Sequence, residues 1–176
     1  VTQYKELMEI GFDGIKMLEG KPTQHKRIGK NLNHPSLNRL YKEIEGDGTH
    51  LLMHINDPDE FWDEDRAPDW AKANGWAYLD GTFASYEQIQ AQAIKILEDH
   101  PNIKITFAHF FFCGKTPEIL EDLFEKYPNL CVDLTPGGEM YVAFAKNYDY
   151  YKDFFNKYSK RLVFGTDRCF PEEQSY

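Results

Sequence analysis

Five short apolar runs, separated by amphipathic segments, most constrain what this chain can fold into. The runs are rich in residues that favour β-strands, and they cover residues 13–18, 50–55, 103–109, 130–135 and 161–167. Strands that are joined through helical crossovers run parallel, and buried parallel strands read as continuous apolar stretches. The pattern therefore predicts an α/β fold with about five parallel strands.

Two of the segments between these runs have the apolar periodicity and the terminal signals of helices. Ser85 and Gln88 have the spacing of a capping box, and Thr116 followed by Pro117 predicts the start of the next helix. Both helices are followed by a Pro-Asn stop and then at once by a strand. A helix-to-strand unit is therefore used at least twice.

Composition limits the class of partner. The chain has 176 residues, 41% of them hydrophobic, and this suits a single α/β domain over residues 1–176. Its formal charge of −9 argues against nucleic acids and anionic membranes, because such partners select an excess of Lys and Arg. No apolar run approaches the ~20 residues that span a bilayer, and no secretory leader is recognisable. We expect a cytoplasmic protein with a small-molecule substrate.

Polar side chains stand where the apolar runs end. His54, His109, Asp133 and Asp167 each lie at or just past the carboxyl end of a different run. In α/β barrels and open α/β sheets the ligand site forms at this edge of the strands. Histidine nitrogens and carboxylate oxygens are also ligands of zinc, so the pattern predicts a metal-assisted site.

Each of these residues also has a structural interpretation. A single histidine after an apolar strand is often a hydrogen-bonded core residue, and a strand-end aspartate such as Asp133 often accepts hydrogen bonds from loop amides. His50 precedes its strand and His100 ends a helix. We therefore predict structural roles for His50 and His100, because both lie at the opposite edge.

The sequence resembles the amidohydrolase superfamily, in particular the branch of metal-dependent hydrolases that includes aminocarboxymuconate semialdehyde and resorcylate-type decarboxylases. The resemblance rests on the segments GFDGIKML, LLMHINDPDEFWDE, HPNIKITFAHFF, YPNLCVDLT and RLVFGTDRCF. It implies a (β/α)₈ TIM barrel with a divalent metal, most simply zinc. It further implies that His54 and Asp167 are metal ligands, that His109 is the catalytic histidine, which stabilises the developing oxyanion, and that Asp167 is a possible catalytic base.

The sequence departs from that family in two ways. It contains no His-x-His pair, and its 176 residues are fewer than the roughly 250 of a full barrel. We expect an N-terminally incomplete barrel that corresponds to strands four to eight of the family. The chain alone should then bind zinc weakly or not at all, and its open sheet edges make a homo-oligomer plausible.

Further residues are candidates for substrate binding. They are Lys16, Asp133 and Arg168; of these, Arg168 could bind a carboxylate on the substrate, aided by the basic loop at residues 20–33. The acidic, tryptophan-rich segment 57–85 predicts a lid. The resulting hypothesis is a metal-dependent hydrolase of a small, carboxylate-bearing substrate. The alternatives are a metal-dependent decarboxylase of the same family and a noncatalytic binding or assembly module.

Overall fold

The structure is a computed structural model and describes residues 1–167. Its centre is one sheet of five parallel strands in the order β1-β2-β3-β4-β5. The strands are β1 Gly14–Gly20, β2 His50–Ile55, β3 Lys104–Phe107, β4 Leu130–Asp133 and β5 Leu162–Val163. All five predicted strands are present, so the predicted α/β fold is confirmed.

Helices alternate with the strands, as crossovers between parallel strands require. They are α1 Thr2–Ile10, α2 Pro22–Ile28, α3 Pro35–Asp47, α4 Asp69–Ala73, α5 Tyr86–Asp99, α6 Pro117–Lys126, α7 Gly138–Lys146 and α8 Tyr148–Lys157. Short one-turn segments cover Asp59–Trp62, His109–Phe112 and Ser159–Arg161. The basic segment, predicted as a loop, contains helix α2 because Pro22 starts a helical turn and Gly29 ends it with a φ of 58°.

The helix start signals are confirmed in part. Ser85 and Gln88 form a complete capping box at the start of α5, in which the backbone N–H of Gln88 donates a hydrogen bond to Ser85 Oγ over 3.2 Å. Pro117 begins α6 as predicted, but the Thr116 side chain makes no capping hydrogen bond. The fixed φ of Pro117, rather than a side-chain cap, therefore defines this start.

The hydrophobic core lies between the outer face of the sheet and the helices. Every second residue of the central strands points into it, including Leu51, Met53, Ile105, Phe107 and Val132, all with no exposed surface. Burying side chains of this size stabilises the fold by about 1.5–3 kcal/mol each. This packing holds the strand ends in a fixed arrangement.

The inner face of the sheet is more polar and is strongly curved. It lines a cavity of about 380 Å³ that includes Lys16, Leu52, Thr106 and Asp133. Lys16 Nζ on β1 lies 3.9 Å from Asp167 Oδ1, beyond β5. Five strands in a flat sheet would place these backbones about 19 Å apart, farther than the two side chains can bridge. The sheet therefore curves as part of a barrel does.

Within residues 1–167, neither β1 nor β5 has a strand on its outer edge. Leu18 and Val163 on these edge strands are exposed. Association with another copy or with further strands stays a prediction. In the same part of the chain, no helix combines the length and the apolar character that a bilayer crossing demands.

Candidate functional site

Three of the residues singled out by sequence surround one cavity at the carboxyl edge of the sheet. His54 lies near the end of β2, His109 follows β3 and Asp167 follows β5. All three line the same cavity, whose volume is about 340 Å³. The parallel strands explain this convergence, because their carboxyl ends meet at one edge.

His54 is buried and held by its own strand end. Its Nε2 lies 2.7 Å from the carbonyl oxygen of Asn56 and 3.4 Å from Asp57 Oδ1. A carbonyl oxygen only accepts, so Nε2 carries the proton and Nδ1 keeps its lone pair. The ring lies edge-on to the ring of His109, with 4.8 Å between their centroids.

His109 is held in the neutral form with one bare nitrogen. Its Nδ1 lies 3.3 Å from the carbonyl oxygen of Thr135, which places the ring proton on Nδ1 and leaves Nε2 as an acceptor. Burial lowers the pKa of His109, and the neighbouring His54 lowers it further. The geometry thus favours a proton acceptor at Nε2.

The backbone around His109 is strained. Residues His109–Phe112 have φ values of 57°, 55°, 55° and 52°, which make a left-handed turn of four non-glycine residues. Such a turn costs L-residues roughly 4–8 kcal/mol in total, at 1–2 kcal/mol each. Burial of the three phenylalanine side chains of this turn offsets a similar amount, about 1.5–3 kcal/mol each. The apolar run after β3 therefore holds His109 in a conformation that directs it to the cavity.

Asp133 supports this turn rather than lining the cavity. Its Oδ1 accepts hydrogen bonds from the backbone N–H of His109 over 2.7 Å and from that of Thr135 over 3.1 Å. Its side chain borders the inner-face cavity instead. The structure thus shows the amide-bonding interpretation of Asp133, and its role toward a substrate stays a prediction.

A buried cluster around Asp57 connects the site to the segment above it. Asp57 accepts two hydrogen bonds from Lys21 Nζ, at 2.8 and 2.9 Å, and one from the hydroxyl of Tyr78. Burial alone would raise the pKa of Asp57, but hydrogen bonds and charge from His54 and Lys21 lower it overall. Sequence reasoning missed this cluster, because its members are far apart in the chain.

The segment 57–85 covers the cavity in the way predicted for a lid. Phe61, Trp70 and Trp76 from this segment line the same cavity as the two histidines. Phe61, Ala71 and Tyr78 form a small hydrophobic cluster of their own. The lid is thus a separately packed layer, attached to the barrel wall through Asp57.

The other predicted substrate contacts lie elsewhere. Lys16 borders the inner-face cavity, near Asp167. Arg168 lies outside the described residues. Sequence reasoning also missed Glu139, whose carboxyl lines the candidate cavity. It directly follows the run Pro136-Gly137-Gly138.

The histidines outside the site are satisfied by neighbouring side chains. His50 Nε2 pairs with Thr106 Oγ1 over 2.9 Å. His100 uses both ring nitrogens, at 2.6 Å from Asn38 Oδ1 and 3.3 Å from Glu45 Oε2. These contacts agree with the structural roles predicted for both residues.

A larger groove of about 800 Å³ lies beside α2 and α3. It is wide open to solvent, and none of the strand-end residues lines it. We assign the chemistry to the smaller cavity, because two imidazoles and several carboxyls converge there on a partly apolar wall.

The cavity contains side chains of the types that bind a divalent metal, but too few of them for a complete site. His54 and His109 each keep one bare nitrogen, and Asp167 adds a carboxylate, all of them zinc ligand types. Yet no three His, Cys, Asp or Glu residues between positions 1 and 167 converge closely enough to hold an ion. A metal site here would need ligands from beyond this part of the chain.

Comparison with known proteins supports the fold. No family model and no curated protein sequence matches the chain. An uncharacterised TIM-barrel protein from Bordetella bronchiseptica matches with a TM-score of 0.54 and 20% identity, over 94% of this chain and 48% of that one. The 2,6-dihydroxybenzoate decarboxylase structure, complexed with 2,6-dihydroxybenzoate, matches at a TM-score of 0.42 and 14% identity, over 77% of this chain and 45% of that one.

The chain therefore spans about half the length of these solved proteins. Five consecutive parallel strands, a curved sheet and the likeness to a TIM-barrel protein define the chain as part of a TIM barrel. At this level of identity the likeness concerns the fold alone.

Proposed function

We propose that this chain carries the catalytic strands of a metal-dependent hydrolase of the amidohydrolase type. Its substrate would be a small amide, ester or lactone that bears a carboxylate. One observation carries the proposal: His54, His109 and Asp167 surround one covered cavity at the carboxyl edge of a partial TIM barrel.

In this proposal His109 acts as the general base. Its bare Nε2 accepts a proton from water while the water oxygen attacks the substrate carbonyl carbon. The hydrogen bond from Nδ1 to Thr135 fixes the tautomer that this step requires. This role differs from the sequence-based expectation that His109 would donate a hydrogen bond to the oxyanion, because Nε2 carries no proton in this tautomer.

His54 and Asp167 would hold a divalent ion, together with ligands supplied from outside residues 1–167. An ion bound there would acidify water and polarise the substrate carbonyl. Trp70 and Trp76 supply an apolar part of the cavity wall, against which charge interactions are stronger than in water. Lys21 lines the cavity and offers one cation toward a substrate carboxylate, although it is paired with Asp57.

Zinc binding tests the ligand role of His54. Equilibrium dialysis of the chain against Zn²⁺ should show weak binding that His54→Ala reduces and that the control His100→Ala leaves unchanged. Equal binding by all three proteins contradicts the ligand role. Stoichiometric zinc that survives a mild chelator would mean that other residues of this chain complete the ligand set.

Turnover distinguishes the candidate reactions. The enzyme assembled with the missing metal ligands, with Zn²⁺ present, is assayed with 4-nitrophenyl esters, alkyl esters and lactones, and carbon dioxide release is measured from aromatic carboxylates. Acid release that disappears in His109→Ala supports the hydrolase. Carbon dioxide release without hydrolysis supports the decarboxylase, and no turnover supports a noncatalytic module.

A further inference from the structure

Glu139 is a carboxyl group of the candidate cavity that the proposed mechanism has not used. It lies in the first turn of α7, and its side chain lines the cavity together with His54 and His109. The neighbouring Gly137 leaves room for it, because a Cβ atom there would come within 2.9 Å of Glu139 Oε1. The chain thus packs the carboxyl closely against the Gly137 backbone.

One oxygen of this carboxyl lacks a partner. Oε1 is sealed from solvent and accepts no hydrogen bond from any residue in the described range 1–167. A buried carboxylate oxygen without a donor is costly, whereas a protonated carboxyl group reduces the charge that must be buried. The site therefore favours the acid form of Glu139.

The charges around Glu139 do not cancel this preference. Asp59 and Glu60, from the one-turn segment Asp59–Trp62, oppose ionisation, and Lys115 favours it. Lys115 is already engaged, however, at 2.5 Å from Asp59 Oδ1 and 2.9 Å from Glu60 Oε2. Burial is the largest influence and raises the pKa of Glu139 to about 7, against a hydrogen bond from the backbone N–H of Glu139 itself, which lowers it.

We propose that Glu139 is a catalytic residue, the general acid that protonates the leaving atom of the substrate in the cavity it shares with His109. The proposal rests on the hydrolase function and assigns a role in it to this carboxyl. His109 begins as a neutral base, and its Nε2 gains a proton only by taking one from the attacking water. A carboxyl group that is already protonated supplies the proton of the leaving atom without waiting for that transfer.

The step balances in atoms and charges. The water oxygen forms a bond to the carbonyl carbon, and the water proton moves to His109 Nε2. The bond from that carbon to the leaving oxygen or nitrogen breaks, and the leaving atom keeps the electron pair and takes the proton of Glu139. Afterwards His109 returns its proton to Glu139 through solvent, so the net reaction consumes one water. Two groups with opposite protonation in one cavity are the usual arrangement for such chemistry.

The first experiment needs no substrate. A small diazoacetamide esterifies only protonated carboxyl groups: the acid proton moves to the diazo carbon, and the carboxylate oxygen displaces N₂. The full chain is treated at pH 6 and at pH 8 and mapped by peptide mass spectrometry. Glu139 should be labelled at pH 6 at least several-fold more than the exposed Glu118, and much less at pH 8. Labelling of Glu139 no greater than that of Glu118 overturns the proposal.

The second experiment varies the leaving group. Glu139→Gln should slow hydrolysis of an alkyl ester by about 10²-fold, because alkoxides need a proton to leave. Hydrolysis of the 4-nitrophenyl ester should hardly change, because that leaving group departs as an anion. Glu118→Gln is the matched control, and an equal loss on both esters in Glu139→Gln would contradict the acid role. If the assembled, zinc-loaded enzyme hydrolyses no ester, the hydrolase proposal fails, whereas the labelling result still decides whether Glu139 presents a proton to the cavity.

Discussion

The two ends of the sheet differ in which residues adopt the left-handed backbone conformation, in which φ is positive. At the amino end, the turns that lead into β1 and β2 place Gly11 and Gly48 at φ values of 104° and 66°. At the carboxyl end, positive φ values after the strands occur at Asn56, at His109–Phe112 and at Asp167, all of which carry side chains. Glycine adopts this conformation without a steric penalty, and other residues do not.

This difference distinguishes turns that connect elements from turns that hold the candidate site. The amino end has the residue that each turn demands, and His100 there has both ring nitrogens paired. The carboxyl end keeps polar side chains in strained backbone, and His109 there retains an unpaired nitrogen beside a cavity. Strain of this kind collects at functional sites, where it holds groups in position for chemistry.

The largest expected effect concerns the histidines of the two ends. In the assembled, active enzyme, His109→Ala should lower kcat by roughly 10²- to 10⁴-fold, because a general base is lost. His100→Ala should leave kcat unchanged and should destabilise the fold by about 1–3 kcal/mol, because Asn38 and Glu45 lose their partner. Kinetics and urea unfolding of both variants check this. A wild-type kcat in His109→Ala would mean that His109, like His100, has no role in catalysis.

The next effect tests what holds the strained end together. Asp133→Ala should destabilise the fold by about 2–5 kcal/mol, because the buried amides of His109 and Thr135 lose their acceptor. Asp133→Asn is the control: it keeps an acceptor oxygen and should cost clearly less. Urea unfolding gives both values, and equal losses in the two variants would mean that charge, rather than the acceptor, holds the turn.

A third prediction uses pH. The pKa of Glu139 is raised from 4.5 to about 7 in the folded state, so the folded state binds the proton more tightly than the unfolded state does. Stability should therefore fall as pH rises from about 4.5 through about 7, by on the order of 2 kcal/mol after allowance for partial exposure. In Glu139→Gln this part of the loss should be missing. Thermal unfolding across that pH range measures the difference, and identical pH profiles would place the carboxyl in ordinary solvent.

The smallest effect concerns the amino end itself. Gly48→Ala should cost about 1 kcal/mol, because alanine is strained at a φ of 66°. Gly46→Ala, two residues earlier inside α3 and with open space around its Cβ position, should stabilise by about 0.5–1 kcal/mol. Neither variant should alter activity. A stabilising Gly48→Ala would show that the turn tolerates side chains, which would weaken the contrast between the ends.

Local patterns in the sequence predicted the elements well. The apolar runs located all five strands, and the Ser85–Gln88 spacing located the start of α5, because these signals depend on neighbouring residues. Placement of His54, His109 and Asp167 at one edge followed from the parallel arrangement of their strands.

The sequence could not reveal contacts that depend on tertiary packing. Lys21 and Asp57 are 36 residues apart, and only the folded chain pairs them. The left-handed turn opposes the intrinsic preference of histidine and phenylalanine, so propensity cannot predict it. Glu139 was missed for a similar reason, since its chemistry arises from burial rather than from a motif.

The left-handed turn at His109–Phe112 also has a consequence for chirality. Its backbone lies in the region that a D-amino acid prefers, because inverting the α-carbon inverts the steric map. The backbone of this turn therefore has the conformation that L-residues disfavour. A D-residue would relieve strain there, whereas it would create strain almost everywhere else in the chain. For chemical synthesis of this protein, these four positions, like Asn56 and Asp167, are ones at which the backbone would tolerate stereochemical inversion.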